Sequence, residues 1–227
     1  MVKILIDRNG NPMSPESIKR SIINFGHSYN ETVRGVISNS RTSVNREIFF
    51  ENVAKLMPNF SMTRQGPFKG VNYAGGRVQD PNGQIGACWE GVGNKAVQLR
   101  NSLDRQNKTR ARVLVEISRT IQKELASELW EMFKILVSLC MGKITLGLVA
   151  ASKVLFAALP EVALPIDNAE WRTVFRTIDY GDIIMAMAAE IAKWEEQSGR
   201  LLDDCSPYES FTLPAIYNVM AMNAKPQ

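Results

Sequence analysis

Residues 143–171 read KITLGLVAASKVLFAALPEVALPIDNAEW, and the rest of the chain is arranged around them. From Ile144 to Leu159 the residues are apolar nearly all round, the pattern of a helix enclosed by a core, with Lys153 inside it. A lysine is almost never buried without a partner or a task. A loop bounded by Pro160 and Pro165 follows and ends in Asp167, with Trp171 four residues on. Asp167 and Glu170 have the spacing of a capping box, in which the first side chain takes the amide three residues ahead and the second reaches back. The stretch therefore predicts a buried lysine and a helix-capping aspartate facing one inter-helix loop.

A lysine on a buried helix, a loop, then Pro165-Ile166-Asp167 and a nearby Trp171 resembles the core of the helix-hairpin-helix DNA glycosylases, the 8-oxoguanine branch most closely. The resemblance covers residues 143–171. It implies a mostly α-helical, glycosylase-like fold, DNA as partner and no cofactor. By the same resemblance Asp167 is the carboxylate that supports cleavage of the glycosidic bond, and Lys153 is the nucleophile candidate of bifunctional members. The family hairpin carries glycines two and four positions before the lysine, where this chain has Ala151 and Val149, so the expected enzyme is monofunctional. Read without the resemblance, Asp167 is an N-cap worth about 1 kcal/mol, and Lys153 snorkels its ammonium to water.

Length and composition fit this frame. The 227 residues suffice for one helical domain over 1–227, divisible into a basic lobe (1–110) and a helical core (111–227) that carries the lysine and aspartate. Charge is uneven: residues 1–115 hold 17 Lys and Arg against 8 Asp and Glu, and residues 116–227 hold 10 against 15. A basic half suits a polyanionic partner. The opening MVKILIDRNGNP has no sustained apolar run, and Lys143 and Lys153 interrupt the longest apolar region, so no membrane partner is expected. Cys88, Cys140 and Cys205 are far apart in sequence and His27 is the sole histidine, which argues against a metal site and for a cytoplasmic, monomeric protein with free thiols.

The candidate DNA contacts lie mostly in the first half. Asn39 and Arg41 sit in a polar loop before a helix that runs to Met57. Residues 58–93 hold eight of the fifteen glycines, with Arg64, Lys69 and Arg77 interleaved with Phe68, Tyr73 and Trp89. A loop or small β excursion of this composition offers cations to phosphates and rings to unstacked bases. Phe68, Tyr73, Trp89 and Trp171 are thus candidates for a base pocket. Gly91–Ala96 superficially copies a glycosylase hairpin but lacks an aspartate at the required distance, and reads as a helix start offering Lys95 and backbone amides to a phosphate. Arg100, Arg105, Lys108, Arg110 and Arg112 make a basic segment before a long helical pattern, Ala111–Cys140. Further helices are predicted over Trp171–Ile178 and Asp182–Gln197, and from a second capping box at Ser206–Glu209.

Walker A, GxGxxG, HExxH and GxSxG motifs are absent, and no acidic-x-Lys triplet of a metal-dependent nuclease occurs. The activity that the resemblance implies is hydrolysis of the N-glycosidic bond of a damaged or modified base, in base repair or in defence against phage DNA. The rival is a non-catalytic helical DNA-binding or defence-associated interaction protein.

Overall fold

The computed structural model describes residues 3–7, 9–106, 112–142 and 147–224. Helices α1 (Pro15–Asn24), α2 (His27–Thr42) and α3 (Arg46–Asn59) precede two short strands, β1 (Asn72–Ala74) and β2 (Arg77–Gln79). Then come α4 (Gln84–Asp104), α5 (Val113–Glu116), α6 (Arg119–Cys140) and α7 (Leu148–Ala158). A π-helical turn (Glu170–Phe175), α8 (Tyr180–Ser198) and α9 (Leu213–Asn223) complete the order. The chain is mostly helical, as its periodicity predicts, and the glycine-rich stretch adds only an antiparallel ladder centred on Tyr73 and Val78.

Helix α6 presents Leu125, Leu129, Met132, Phe133, Leu136 and Cys140 on one buried face and packs against α4, α7 and α8. Helix α7 also packs against α2 and α3, so elements distant in sequence enclose it. Every residue of α7 from Ala150 to Ala158 is buried, Lys153 included. The chain turns from α6 into α7 at Gly147, whose φ is +76° and where an added Cβ would fall 2.5 Å from the carbonyl oxygen of Val137. Only glycine fits there.

After α7 the segment Leu159–Ile166 is irregular yet buried throughout. Buried backbone amides must find partners, and here side chains from distant elements supply them. The Tyr180 hydroxyl accepts from Leu164 N (2.6 Å) and donates to Leu164 O (2.9 Å). The Ser152 hydroxyl accepts from Ile166 N at 3.0 Å, and Thr212 donates to Pro160 O at 2.7 Å. Asn218, with its amide oriented to satisfy all its neighbours, donates to Pro165 O at 2.8 Å. Buried polar residues set in apolar runs thus fix the loop that delivers Asp167.

Several local expectations are corrected. Gly91–Ala96 lies inside α4, not at a helix start, so its amides are spent in the helix and offer no phosphate site. Gly91 is small there because Leu139 and Ile135 of α6 would lie 2.9 and 3.1 Å from a Cβ. The Ala111–Cys140 pattern is broken, because Ile117 is extended and Ser118 caps α6 by accepting from Ile121 N. Trp171–Ile178 ends early, in a π turn closed by Arg176 at φ +55°. Ser206–Glu209 starts no helix; Ser206 accepts from Tyr208 N in a local turn, and α9 begins instead behind the Thr212 cap with Pro214 in its first turn.

Candidate functional site

A cavity of about 580 Å³ opens where the end of α3, the start of α7 and the π turn meet. Its walls include Phe60, Met62, Leu148, Val149, Lys153, Asp167, Asn168, Trp171 and Arg172. This volume lies within the roughly 300–1,000 Å³ typical of small-ligand sites. Lys153, Asp167 and Trp171, singled out from sequence, therefore line the same space.

Lys153 is fully buried, and its Nζ lies 3.5 Å from the centroid of the Phe60 ring. A ring face so close attracts an ammonium. Phe60 in turn meets Tyr29 edge-on at 5.9 Å. Trp171, also in the cavity wall, packs against Phe133 (5.6 Å) and Tyr180 (6.4 Å), and Phe133 stacks on Tyr180 at 4.6 Å. The Trp171 indole N–H has no hydrogen-bond partner among the described residues.

The capping box is formed. Asp167 Oδ1 accepts from Glu170 N at 2.9 Å, and Glu170 Oε2 accepts from Asp167 N at 2.7 Å. Asp167 is half-buried at the cavity wall, whereas Glu170 is fully buried. Behind them, Asn218 donates to Glu170 Oε1 at 3.2 Å and accepts from the Tyr29 hydroxyl at 2.7 Å. Burial first, then the Glu170 and Asp167 carboxylates, hold the Tyr29 phenol well above its ordinary pKa, so it remains a proton donor to Asn218.

Other expected contacts lie elsewhere. Phe68 is in the core, Tyr73 lies beneath the Lys55 ammonium at 4.5 Å, and Trp89 packs on Phe49 at 5.2 Å. None of the three lines the cavity, because each ring is drawn to the nearest apolar surface of α3 or the core. Arg100 is only 5 % exposed, pairs with Glu161 at 3.1 Å and donates to Ser40 O at 3.2 Å. It holds α4 to the α7 exit and offers nothing to a phosphate. Asn39 and Arg41 lie in the last turns of α2 and not in a loop; Asn39 donates to Glu51 and Asn52, and Arg41 to the carbonyls of Glu209 and Ser210.

Lys95 and Arg105 are exposed along a second cleft of about 440 Å³, faced by Glu128 and Glu131, which offset their charge. Arg64, Lys69 and Arg77 are exposed on the loop and hairpin after α3. Arg110 lies outside the described residues.

Sequence reasoning missed Phe60, Met62 and Arg172 in the cavity wall, and Ser152, Asn218 and Tyr29 behind it. For Ser152 and Asn218 a signal existed: each is a polar residue in an otherwise apolar helix. Among the described residues no three His, Cys, Asp or Glu side chains gather as a metal site. Cys88 and Cys140 lie 4.0 Å apart as free, buried thiols. Among the described residues, no helix is long and apolar enough to cross a membrane. No protein-family model, curated protein or solved structure matches this chain.

Proposed function

We propose that this chain is a DNA glycosylase, hydrolysing the bond between a modified base and its deoxyribose to leave an abasic site. The observation that carries the reading is the convergence of Lys153 and Asp167, fourteen residues apart, on one cavity with Phe60 and Trp171. A base turned out of the stack needs an apolar and aromatic enclosure of this kind. As the C1′–N bond breaks, its electron pair leaves with the base and positive charge grows on the sugar. The Asp167 carboxylate at the wall stabilises that charge. Water then adds to C1′ and releases a proton to solvent, while the ammonium of Lys153 offsets negative charge on the departing base. The Phe60 ring against that ammonium supports a monofunctional enzyme, since a cation held on a ring face stays protonated and is no nucleophile.

The test is incubation with duplexes carrying 8-oxoguanine, uracil, alkylated or glucosylated bases, followed by hot alkali to break abasic sites. Strand scission at the modified position, lost in Asp167→Asn, is the expected result. Absence of scission across the panel overturns the reading. A non-catalytic DNA-binding or defence-associated interaction protein remains the second reading, and one feature favours it: Asp167 Oδ1 is engaged in capping Glu170 N. Under that reading the wild-type protein retains duplex DNA and leaves every base in place.

A further inference from the structure

Capping alone does not explain what lies behind Asp167. A glutamine at position 170 would complete a capping box as well as a glutamate, yet Glu170 is fully buried, and burying a carboxylate costs several kcal/mol unless it is well partnered. Both its oxygens are used. Oε2 accepts from Asp167 N at 2.7 Å, and Oε1 accepts from the Asn218 amide at 3.2 Å. Asn218, 2 % exposed, also donates to Pro165 O and accepts from the Tyr29 hydroxyl. One amide from α9 therefore grips the backbone just before Asp167 and the carboxylate just after it.

Tyr29 has a second attachment. Its ring meets Phe60 at 5.9 Å, and Phe60 carries the Lys153 ammonium on its face. The hydroxyl end of Tyr29 thus leads through Asn218 and Glu170 to Asp167, while its ring leads through Phe60 to Lys153. Two charged side chains of the cavity, Lys153 and Asp167, are thus tied to a single residue of α2.

We infer that Tyr29, Asn218 and Glu170 form a positioning relay that fixes the Asp167 carboxylate at the cavity wall relative to Lys153. The inference rests on the proposed role of Asp167. Tyr29 and Glu170 act here as positioning residues, through hydrogen bonds alone. Glutamine at 170 keeps an acceptor for Asp167 N, and the Asn218 amide can turn to meet it. Alanine at 170 keeps neither contact. Phenylalanine at 29 keeps the contact with Phe60 and loses only the link to Asn218.

The experiment measures single-turnover release of whichever base of the panel the wild-type protein removes, over a range of enzyme concentration. For Tyr29→Phe and Glu170→Ala the maximal rate is expected to fall about tenfold, the equivalent of one lost hydrogen bond at the reacting centre, with the half-saturating concentration unchanged. Glu170→Gln is expected to keep the rate within about threefold of wild type, because glutamine retains an acceptor for Asp167 N. The Tyr29→Phe/Glu170→Ala double variant is expected to be no slower than Glu170→Ala alone, because both break one chain of contacts. Should Glu170→Ala fail to fold, Tyr29→Phe and Glu170→Gln carry the test. Wild-type rates in a folded Tyr29→Phe protein, alongside an inactive Asp167→Asn, overturn the relay and leave the glycosylase reading standing. Wild-type rates in Asp167→Asn, or no release by the wild-type protein, overturn the reading and the relay together.

Discussion

The hydroxyl of Ser152 lies 3.0 Å from both the amide nitrogen and the carbonyl oxygen of Ile166, fourteen residues away. Ser152 immediately precedes Lys153 and Ile166 immediately precedes Asp167. One buried side chain therefore fixes the register between the helix that carries the cation and the loop that carries the carboxylate.

Ser152→Ala leaves the buried Ile166 amide without its acceptor. The cost of such an orphaned group is about 1–3 kcal/mol. The urea midpoint is expected to fall accordingly without a change in the slope of the unfolding free energy. An unchanged midpoint would show that the loop holds its position without this hydroxyl.

Arg100→Gln is expected to act on stability and not on DNA affinity. The side chains of Arg100 and Glu161 are each 6 % exposed, and removing one partner of a buried pair costs about 3–5 kcal/mol. Thermal melting measures the loss. The dependence of DNA affinity on salt, which counts phosphate contacts, is expected to stay as in the wild type; a flatter slope would place Arg100 on the nucleic acid.

Asp167→Asn separates capping from chemistry. Asparagine caps about as well as aspartate, so the melting temperature should shift little. A neutral amide stabilises a cationic sugar poorly, and a loss of about 3 kcal/mol would slow release more than a hundredfold. DNA retention measured by gel shift should survive. Base release at the wild-type rate by the folded variant would remove the carboxylate from the mechanism.

Alkali is expected to unfold the protein through groups that resist losing a proton in the fold. Burial, with Asp204, Glu16 and Asp203 nearby, pushes the Cys205 thiol from 9.0 up to about 11. Burial likewise raises the Tyr29 and Tyr180 phenols, and raises that of Tyr217 with help from Glu190. Each group holds its proton more tightly folded than unfolded, so stability is complete below the unfolded-state pKa and declines as pH rises above it. For Cys205 that window runs from 9.0 to about 11. Chemical denaturation at a series of pH values, with Cys205→Ala as control, reads the contribution; an equally steep decline in the control would assign it to groups other than Cys205.

The apolar run of α7 and the Asp167–Glu170 spacing were legible in the sequence, because helix burial and capping are written in local periodicity. The same local logic misread Gly91–Ala96, where Gly91 serves the close approach of α6 and Gly93 the close approach of the Trp89 ring, and neither makes a turn. It also misread Arg100: a basic residue among basic neighbours looks like a phosphate contact until Glu161, sixty-one positions away, is brought beside it. Phe60 and Tyr29 could not be found from sequence, since only tertiary packing of α2 and α3 on α7 carries them to Lys153 and Asp167. Long-range partners, not local pattern, complete the site.

The anchors of Leu159–Ile166 have a consequence for synthesis. Ser152 precedes the segment, but Tyr180, Thr212 and Asn218 follow it, the last by more than fifty residues. A chain made from its N-terminus therefore completes the lysine-bearing helix well before the partners of the following loop exist. Until Asn218 has left the ribosome, the carbonyls of Pro160 and Pro165 lack their full set of donors and the segment is expected to stay open to proteases and chaperones. Stalled nascent chains ending before Thr212 should be cut there by protease, and chains extending past α9 should resist. Assembly of the cavity in this sense waits for translation of α9.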